Sequence, residues 1–179
     1  MRGVQHVALL RGIGPGNPKL RNAAMVDVLR SAGLDDVRAV ISSGNYTFRS
    51  DGPSGRQLED LVEAAVAEHL RAPRAAVVRN RRQIEGLTRS DVFDDEDDGP
   101  TARCNLTFLK HRARTVPDLP IVGDGYRIIA VRRQAVFSVV DTSRATTPAV
   151  MTALERTFGK EITTRTWRTV HRIARAFDD

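Results

Sequence analysis

Three segments of this chain combine residue types and spacings suited to holding an anion. The first runs Arg11-Gly12-Ile13-Gly14-Pro15-Gly16-Asn17-Pro18-Lys19. A glycine loop feeding a helix N-terminus offers unsatisfied N–H groups, and Arg11 and Lys19 add positive charge. No Gly-Lys-Ser/Thr follows, so this is not a Walker loop, and the third glycine of a dinucleotide fingerprint is missing. Pro15 and Pro18 also remove two donors, which leaves an ordinary connecting loop as the competing reading. The second segment is Ser42-Ser43-Gly44-Asn45. Gly and Asn tolerate positive φ, so a tight hairpin turn explains it locally. As a site it would be a polar shelf from which Ser43 and Asn45 reach a ligand. The third is Thr163-Thr164-Arg165-Thr166-Trp167-Arg168-Thr169, where Arg165 and Thr164 stand beside the start of a helix. Trp167 serves there as an aromatic anchor on the core, and Arg168, Arg172 and Arg175 follow at i, i+4 and i+7.

Other chemistry is hard to find. No paired carboxylates and no Ser-His-Asp set are readable, so no catalytic residue is assigned. The lone cysteine, Cys104, lies in ARCNLTFL, where it alternates onto one face with Ala102, Leu106 and Phe108 as a small buried hydrophobe. His6, His69, His111 and His171 have no ligand spacing between them, so neither a metal site nor a cofactor is expected.

The elements that must position these segments follow from periodicity. VQHVALLR (4–11) reads as a buried strand and 12–18 as a loop of three glycines and two prolines. Asn22 is expected to cap a helix over 23–32 that stops at Gly33. Residues 36–41 and YTFRS (46–50) read as strands joined by the SGN turn. Leu58, Leu61, Val62, Ala65, Val66 and His69 fall on one face of an amphipathic helix, and 75–80 reads as a strand. The order βαββαβ commonly builds a split βαβ, ferredoxin-like sheet. A short helix over 81–89, a strand at 102–109, an irregular stretch at 112–125 and a hairpin of 126–131 with 135–140 come next. Thr147-Pro148 starts a helix ended by Gly159, residues 161–165 are extended, and Thr166 caps the last helix. The fold class is α+β, with mainly antiparallel sheets and helices packed on them.

The 179 residues carry 28 basic and 22 acidic side chains, for a net charge of +6. Of the basic residues 25 are Arg, a bias that points to base composition rather than to selection for nucleic acid. Residues 1–89 carry +5, 90–101 carry −6 and 102–179 carry +7. That shift places two subdomains at 1–89 and 90–179, with an acidic loop, mobile and solvated, at the join. The loop lacks the glycine and distal glutamate of a calcium-binding hand. No apolar run approaches the ~18 residues needed to cross a bilayer, so no membrane partner is expected. One cysteine fits a reducing compartment, hence a cytoplasmic protein.

LLRGI (9–13) with its glycine loop and Lys19, ISSGN (41–45), NLTFL (105–109) and TTRTWRTV (163–170) resemble, in order, motifs of the bacterial family called domain of unknown function 1697. The resemblance implies an α+β protein of two subdomains with ferredoxin-like character, and no assigned activity. The chain departs from the family pattern at Gly14-Pro15-Gly16-Asn17, where relatives carry Asn and paired glycines. It departs again at Thr166-Trp167-Arg168, where relatives carry Asn-Trp-Asn, and Arg144 stands where relatives often carry Lys.

Taken together, the expected function is that of a binding module for an anionic ligand, whether nucleotide, phosphate or short RNA. Arg11, Lys19, Ser43, Asn45, Thr164 and Arg165 would form one site. An enzyme acting on a phosphorylated small molecule, or a structural or regulatory partner protein, are the alternatives. Against RNA, the first half offers only Tyr46 and Phe48 as strand aromatics and has no RNP-like run.

Overall fold

The computed structural model describes residues 3–12, 21–41, 44–53, 55–144 and 147–179. The elements run β1 (Val4–Leu10), α1 (Asn22–Ser31), β2 (Asp35–Ala39), β3 (Asn45–Ser50), α2 (Gly55–Leu70), β4 (Ala76–Asn80) and α3 (Arg81–Thr88). After a 3-10 turn at Asp91–Phe93 come β5 (Ala102–Leu109), β6 (Ile121–Gly123), β7 (Tyr126–Arg132), β8 (Ala135–Asp141), α4 (Thr147–Phe158), β9 (Ile162–Thr166) and α5 (Trp167–Arg175). The chain divides into two compact units: Met1–Glu85 with Arg172–Asp179, and Gly86–His171. The composition shift suggests a single cut at 89/90, whereas the last eight residues group with the first unit. Within that unit the Phe177 carbonyl accepts from Gln5 Nε2 at 2.7 Å and from Arg81 Nη1 at 3.1 Å.

The first sheet has the order β2-β3-β1-β4, with every pair antiparallel. That is the split βαβ arrangement expected from the βαββαβ order. Strand alternation decides its two faces. Ala8, Leu10, Tyr46, Phe48, Ala76 and Val78 point to the core shared with Met25 and Leu29 of α1 and Leu58, Val62 and Val66 of α2. Each of the larger apolar side chains so buried, such as Leu10, Met25 or Phe48, contributes ~1.5–3 kcal/mol. Both Tyr46 and Phe48 are therefore spent on packing and cannot serve as base-stacking platforms.

β4 is an edge strand, and α2 closes its outward donors. Ala76 N donates to Glu63 Oε1 at 2.8 Å and Val78 N to Glu59 Oε1 at 3.0 Å. Asn80 N donates to Gln83 Oε1 at 2.9 Å. Alternate N–H groups of an exposed edge would otherwise recruit another strand. Glu59 is also 3.5 Å from Arg79 Nη1, and both are buried. Burial pulls the Arg79 guanidinium below its ordinary range, and the Glu59 carboxylate opposes that shift.

The second sheet has the order β6-β7-β8-β5-β9, again antiparallel throughout. One face packs Leu109, Ile128, Val136, Val140 and Ile162 under Val150, Ala153 and Leu154 of α4. The other carries Cys104, Leu106, Phe108 and Phe137, all fully buried. There Phe93 meets Phe137 at 5.2 Å and Trp167 at 5.1 Å, and His171 stands edge-on to Trp167 at 4.6 Å. The three-residue β6 lies in a stretch expected to be wholly irregular; it pairs with β7 through Ile121–Ile128 and Gly123–Tyr126.

The acidic stretch lies at the surface, as its charge predicts, but several of its side chains are fastened. Phe93 anchors it in the core, and Glu96 takes Arg127 in a two-point ion pair at 3.1 and 2.5 Å. Asp91 pairs with Arg132 at 2.8 Å, Asp98 with Arg168 at 3.2 Å. Asp98 also accepts from Cys104 N at 3.1 Å. Glu96, Asp91 and Asp98 are matched by arginines of β7 and α5, while Asp91 stays exposed alongside the solvated Asp94, Asp95 and Asp97. No helix among the described residues is long and apolar enough to cross a membrane.

Candidate functional site

In the first unit, two of the three predicted segments emerge at the same end of the sheet. The β1–β3 register sets Leu9 opposite Asn45. One step further, Leu10 N donates to Gly44 O at 2.8 Å, and Arg11 N donates to Ala75 O at 2.9 Å. Arg11 thus leaves the sheet beside the β2–β3 turn. The start of α1 joins them, because Asn22 Nδ2 donates to Ile41 O at 3.1 Å.

Asn22 is not the cap that its residue type suggests. Arg21 occupies the N-cap position without a side-chain bond, and Asn22 is already helical. Its amide is used between segments instead, with Tyr46 Oη donating to its Oδ1 at 3.4 Å. Burial, with no compensating charge, pushes the Tyr46 hydroxyl up to about 12. No acid stands in the first turn of α1 either, so the helix supplies no negative side chain of its own to its N-terminal dipole.

The backbone at this end is unusual. Gly12 has φ +68° and Gly44 φ +73°, both ordinary for glycine. Ile41 has φ +54°, and a β-branched residue in the left-handed region is a true outlier. Such a conformation costs ~1–3 kcal/mol and persists only where its surroundings impose it. Asn22 on the Ile41 carbonyl is part of what imposes it.

The individual residues fall as follows. Arg11 is half-buried at the end of β1. Asn45 is fully buried; its Nδ2 donates to Val40 O at 3.2 Å and its carbonyl accepts from Val40 N at 2.8 Å. It braces the hairpin from inside rather than standing on a shelf. Lys19 and Ser43 lie outside the described residues.

Thr164 and Arg165 belong to the second unit, and they are consecutive residues of β9 rather than part of a helix start. Their side chains therefore point to opposite faces of the sheet. Thr164 Oγ1 is 2.8 Å from Thr107 Oγ1 and 3.3 Å from Met151 Sδ, on the α4 side. Arg165 lies on the other face, where Nη1 donates to Thr163 Oγ1 at 2.7 Å and to Thr164 O at 2.9 Å. Burial lowers its guanidinium to about 10, so it stays charged at neutral pH. Thr166 does cap α5, accepting from Thr169 N at 3.3 Å.

Cys104 is buried and its thiol is pushed up to about 12, first by burial and then by Asp98, Glu96 and Asp97. It is a packing residue, not a nucleophile. Among the described residues no group of three or more His, Cys, Asp or Glu could hold a metal ion.

An α+β chain of two antiparallel sheets, the first of them ferredoxin-like, is the class these observations define. The chain belongs to the family described as protein of unknown function (DUF1697), whose family model matches residues 4–137. The segments 9–13, 41–45 and 105–109 fall inside that match, and 163–170 lies beyond it. Among solved structures it is similar to the conserved bacterial protein SP0830 from Streptococcus pneumoniae. That likeness has a TM-score of 0.74 at 20% identity and covers 100% of both chains, which bears on the fold. No curated protein matches the chain.

Proposed function

We propose that the chain is a binding module for a small anion, either phosphate or the phosphate group of a nucleotide. The site is the loop end of the first sheet. The observation that carries this reading is the strained Ile41 at φ +54°, set beside an α1 N-terminus that has no side-chain cap. Strain of this kind is retained where a loop must present its backbone in one geometry. The helix start supplies N–H groups and a positive dipole end. In this proposal Arg11 and Lys19 provide charge, Ser43 a hydroxyl, and Asn45 braces the turn. Thr164 and Arg165 are given no part at that end. Binding of this anion is assigned to the subdomain 1–89, and none of it to 90–179. A bacterial, cytoplasmic setting belongs to the same proposal; the single cysteine supports a reducing compartment. Small anions are favoured over RNA because Tyr46 and Phe48 are buried under the helices.

The test is a calorimetric titration with inorganic phosphate and with adenosine monophosphate at low salt. Arg11→Ala and Lys19→Ala should each weaken binding about tenfold, as loss of one charge-assisted contact does, with the melting temperature nearly unchanged. Absence of binding by either probe at about 50 mM salt would end the reading.

A further inference from the structure

The face of the first sheet turned away from α1 and α2 bears a second feature, at the other end of β1. A cavity of about 390 Å³ opens there, lined by Asp36, Arg38, Thr47, Arg49 and the tail Ala176–Asp179. That volume is within the range of small-molecule sites, ~300–1,000 Å³.

A break in the β2–β3 ladder builds one wall. The register shifts between Asp35 and Arg38, and Asp36 sits there at φ +48°. Bulges of this kind re-aim a side chain. The Asp36 carboxylate accepts from Arg38 Nε at 3.0 Å and lies 3.5 Å from Arg49 Nε. Arg49 Nη1 donates to Gly3 O at 3.2 Å. One carboxylate thus holds two guanidiniums side by side. Arg38 Nη1 and Arg49 Nη2 have no hydrogen-bond partner among the described residues. Their donors are fixed in direction without being consumed.

The opposite wall is acidic and fastened. Phe177 is buried, and its carbonyl is held by Gln5 and Arg81. Asp178 is paired with Arg81 at 2.5 Å. Asp179 is exposed and makes no ion pair among the described residues. The cavity therefore presents cationic donors on one side and a carboxylate on the other. A simple anion is attracted by the first wall and repelled by the second, and a simple cation meets the reverse. Only a ligand carrying both signs uses both walls.

We propose that this cavity binds a small zwitterion of the free amino acid class, its carboxylate on Arg38 and Arg49 and its ammonium toward Asp179. The site is independent of the anion site proposed above. Gln5, beside Arg49 in the register, is six residues from Arg11 on one extended segment, about 20 Å at ~3.3 Å per residue.

The test is nuclear magnetic resonance on the full chain, reading the arginine Nε–H signals and the backbone amides. The probes are the twenty L-amino acids in groups, sodium acetate and ethylammonium chloride, each at about 10 mM, enough to populate a millimolar complex. At least one amino acid should shift Arg38 and Arg49 Nε and the Asp179 amide, with acetate and ethylammonium shifting them less. Arg49→Gln should weaken that binding about tenfold or more, the loss expected for one charged hydrogen bond, while Arg11→Ala leaves it unchanged. Should Arg49→Gln melt early, Arg38→Gln carries the same test. The proposal is overturned if no probe moves these signals, or if acetate moves them as far as every amino acid does. It is equally overturned if Arg11→Ala abolishes the response and Arg49→Gln does not.

Discussion

The two units treat their motif residues in opposite ways. In the first, residues far apart in sequence are drawn together, because Leu9 pairs with Asn45 and Leu10 with Gly44 while Asn22 ties the helix start to Ile41. In the second, residues adjacent in sequence are driven apart, because the pleat of β9 sends Thr164 to the α4 side and Arg165 to the other. Distance along the chain is thus a poor guide to a shared site, and the position of a residue relative to the strand end is a good one. Loops at one end of a sheet converge, whereas neighbours within a strand diverge.

The largest effect should come from the second unit's aromatic face. Phe137 is fully buried against Phe93 and Trp167, so Phe137→Ala should lower unfolding free energy by about 4 kcal/mol, read by urea denaturation. A loss below about 1 kcal/mol would mean that face is not packed as described. In the first unit, Glu59→Gln removes the carboxylate charge 3.5 Å from the buried Arg79 and should lose about 3 kcal/mol in the same assay. A neutral result would show that the buried Arg79 does not depend on this charge.

Alkaline titration separates the units more finely. Tyr46 in the first unit and Cys104 in the second both have folded values raised to about 12, from ordinary values of 10.0 and 9.0. A raised value means the folded state holds its proton while the unfolded chain releases it. The stability this confers is complete below pH 9, declines through the Cys104 window from 9 and the Tyr46 window from 10, and is gone above pH 12. Cys104→Ala should remove the part that begins at pH 9, followed as melting temperature against pH. An unchanged profile contradicts the burial of the thiol. Smaller still, Thr166→Ala removes the cap of α5 and should lose ~1 kcal/mol by denaturant titration. Asp94→Asn and Asp95→Asn, on the solvated face of the acidic stretch, should fall within ~0.5 kcal/mol of the parent.

Much of this architecture was legible in the sequence. The helix face at Leu58, Val62 and Val66 and the alternation in ARCNLTFL predict their elements because burial imposes those periods. The hairpin at Gly44-Asn45 follows from turn chemistry. What escaped was non-local. Nothing near Asn22 announces that its amide will serve Ile41, 19 residues away, rather than its own helix. Glu59 sits outside the apolar stripe of α2, yet it is buried, because an edge strand needs its acceptor. The spacing of Glu59 and Glu63 at i, i+4 beside that stripe was the available signal. Thr164 and Arg165 fall in the stretch 161–165 read as extended, and β9 bears that reading out, its pleat sending the two to opposite faces.

The central proposal is that the loop end of the first sheet, rather than β9, holds an anion. The most direct measurement is an amide-resolved titration of the full chain with inorganic phosphate at low salt. The account predicts saturable shifts at Arg11, Gly12, Gly44 and Asn45 and at the first residues of α1, with Thr164 and Arg165 unmoved. Shifts confined to Thr164 and Arg165, or none at Arg11 and Gly44 at any phosphate concentration, would contradict it.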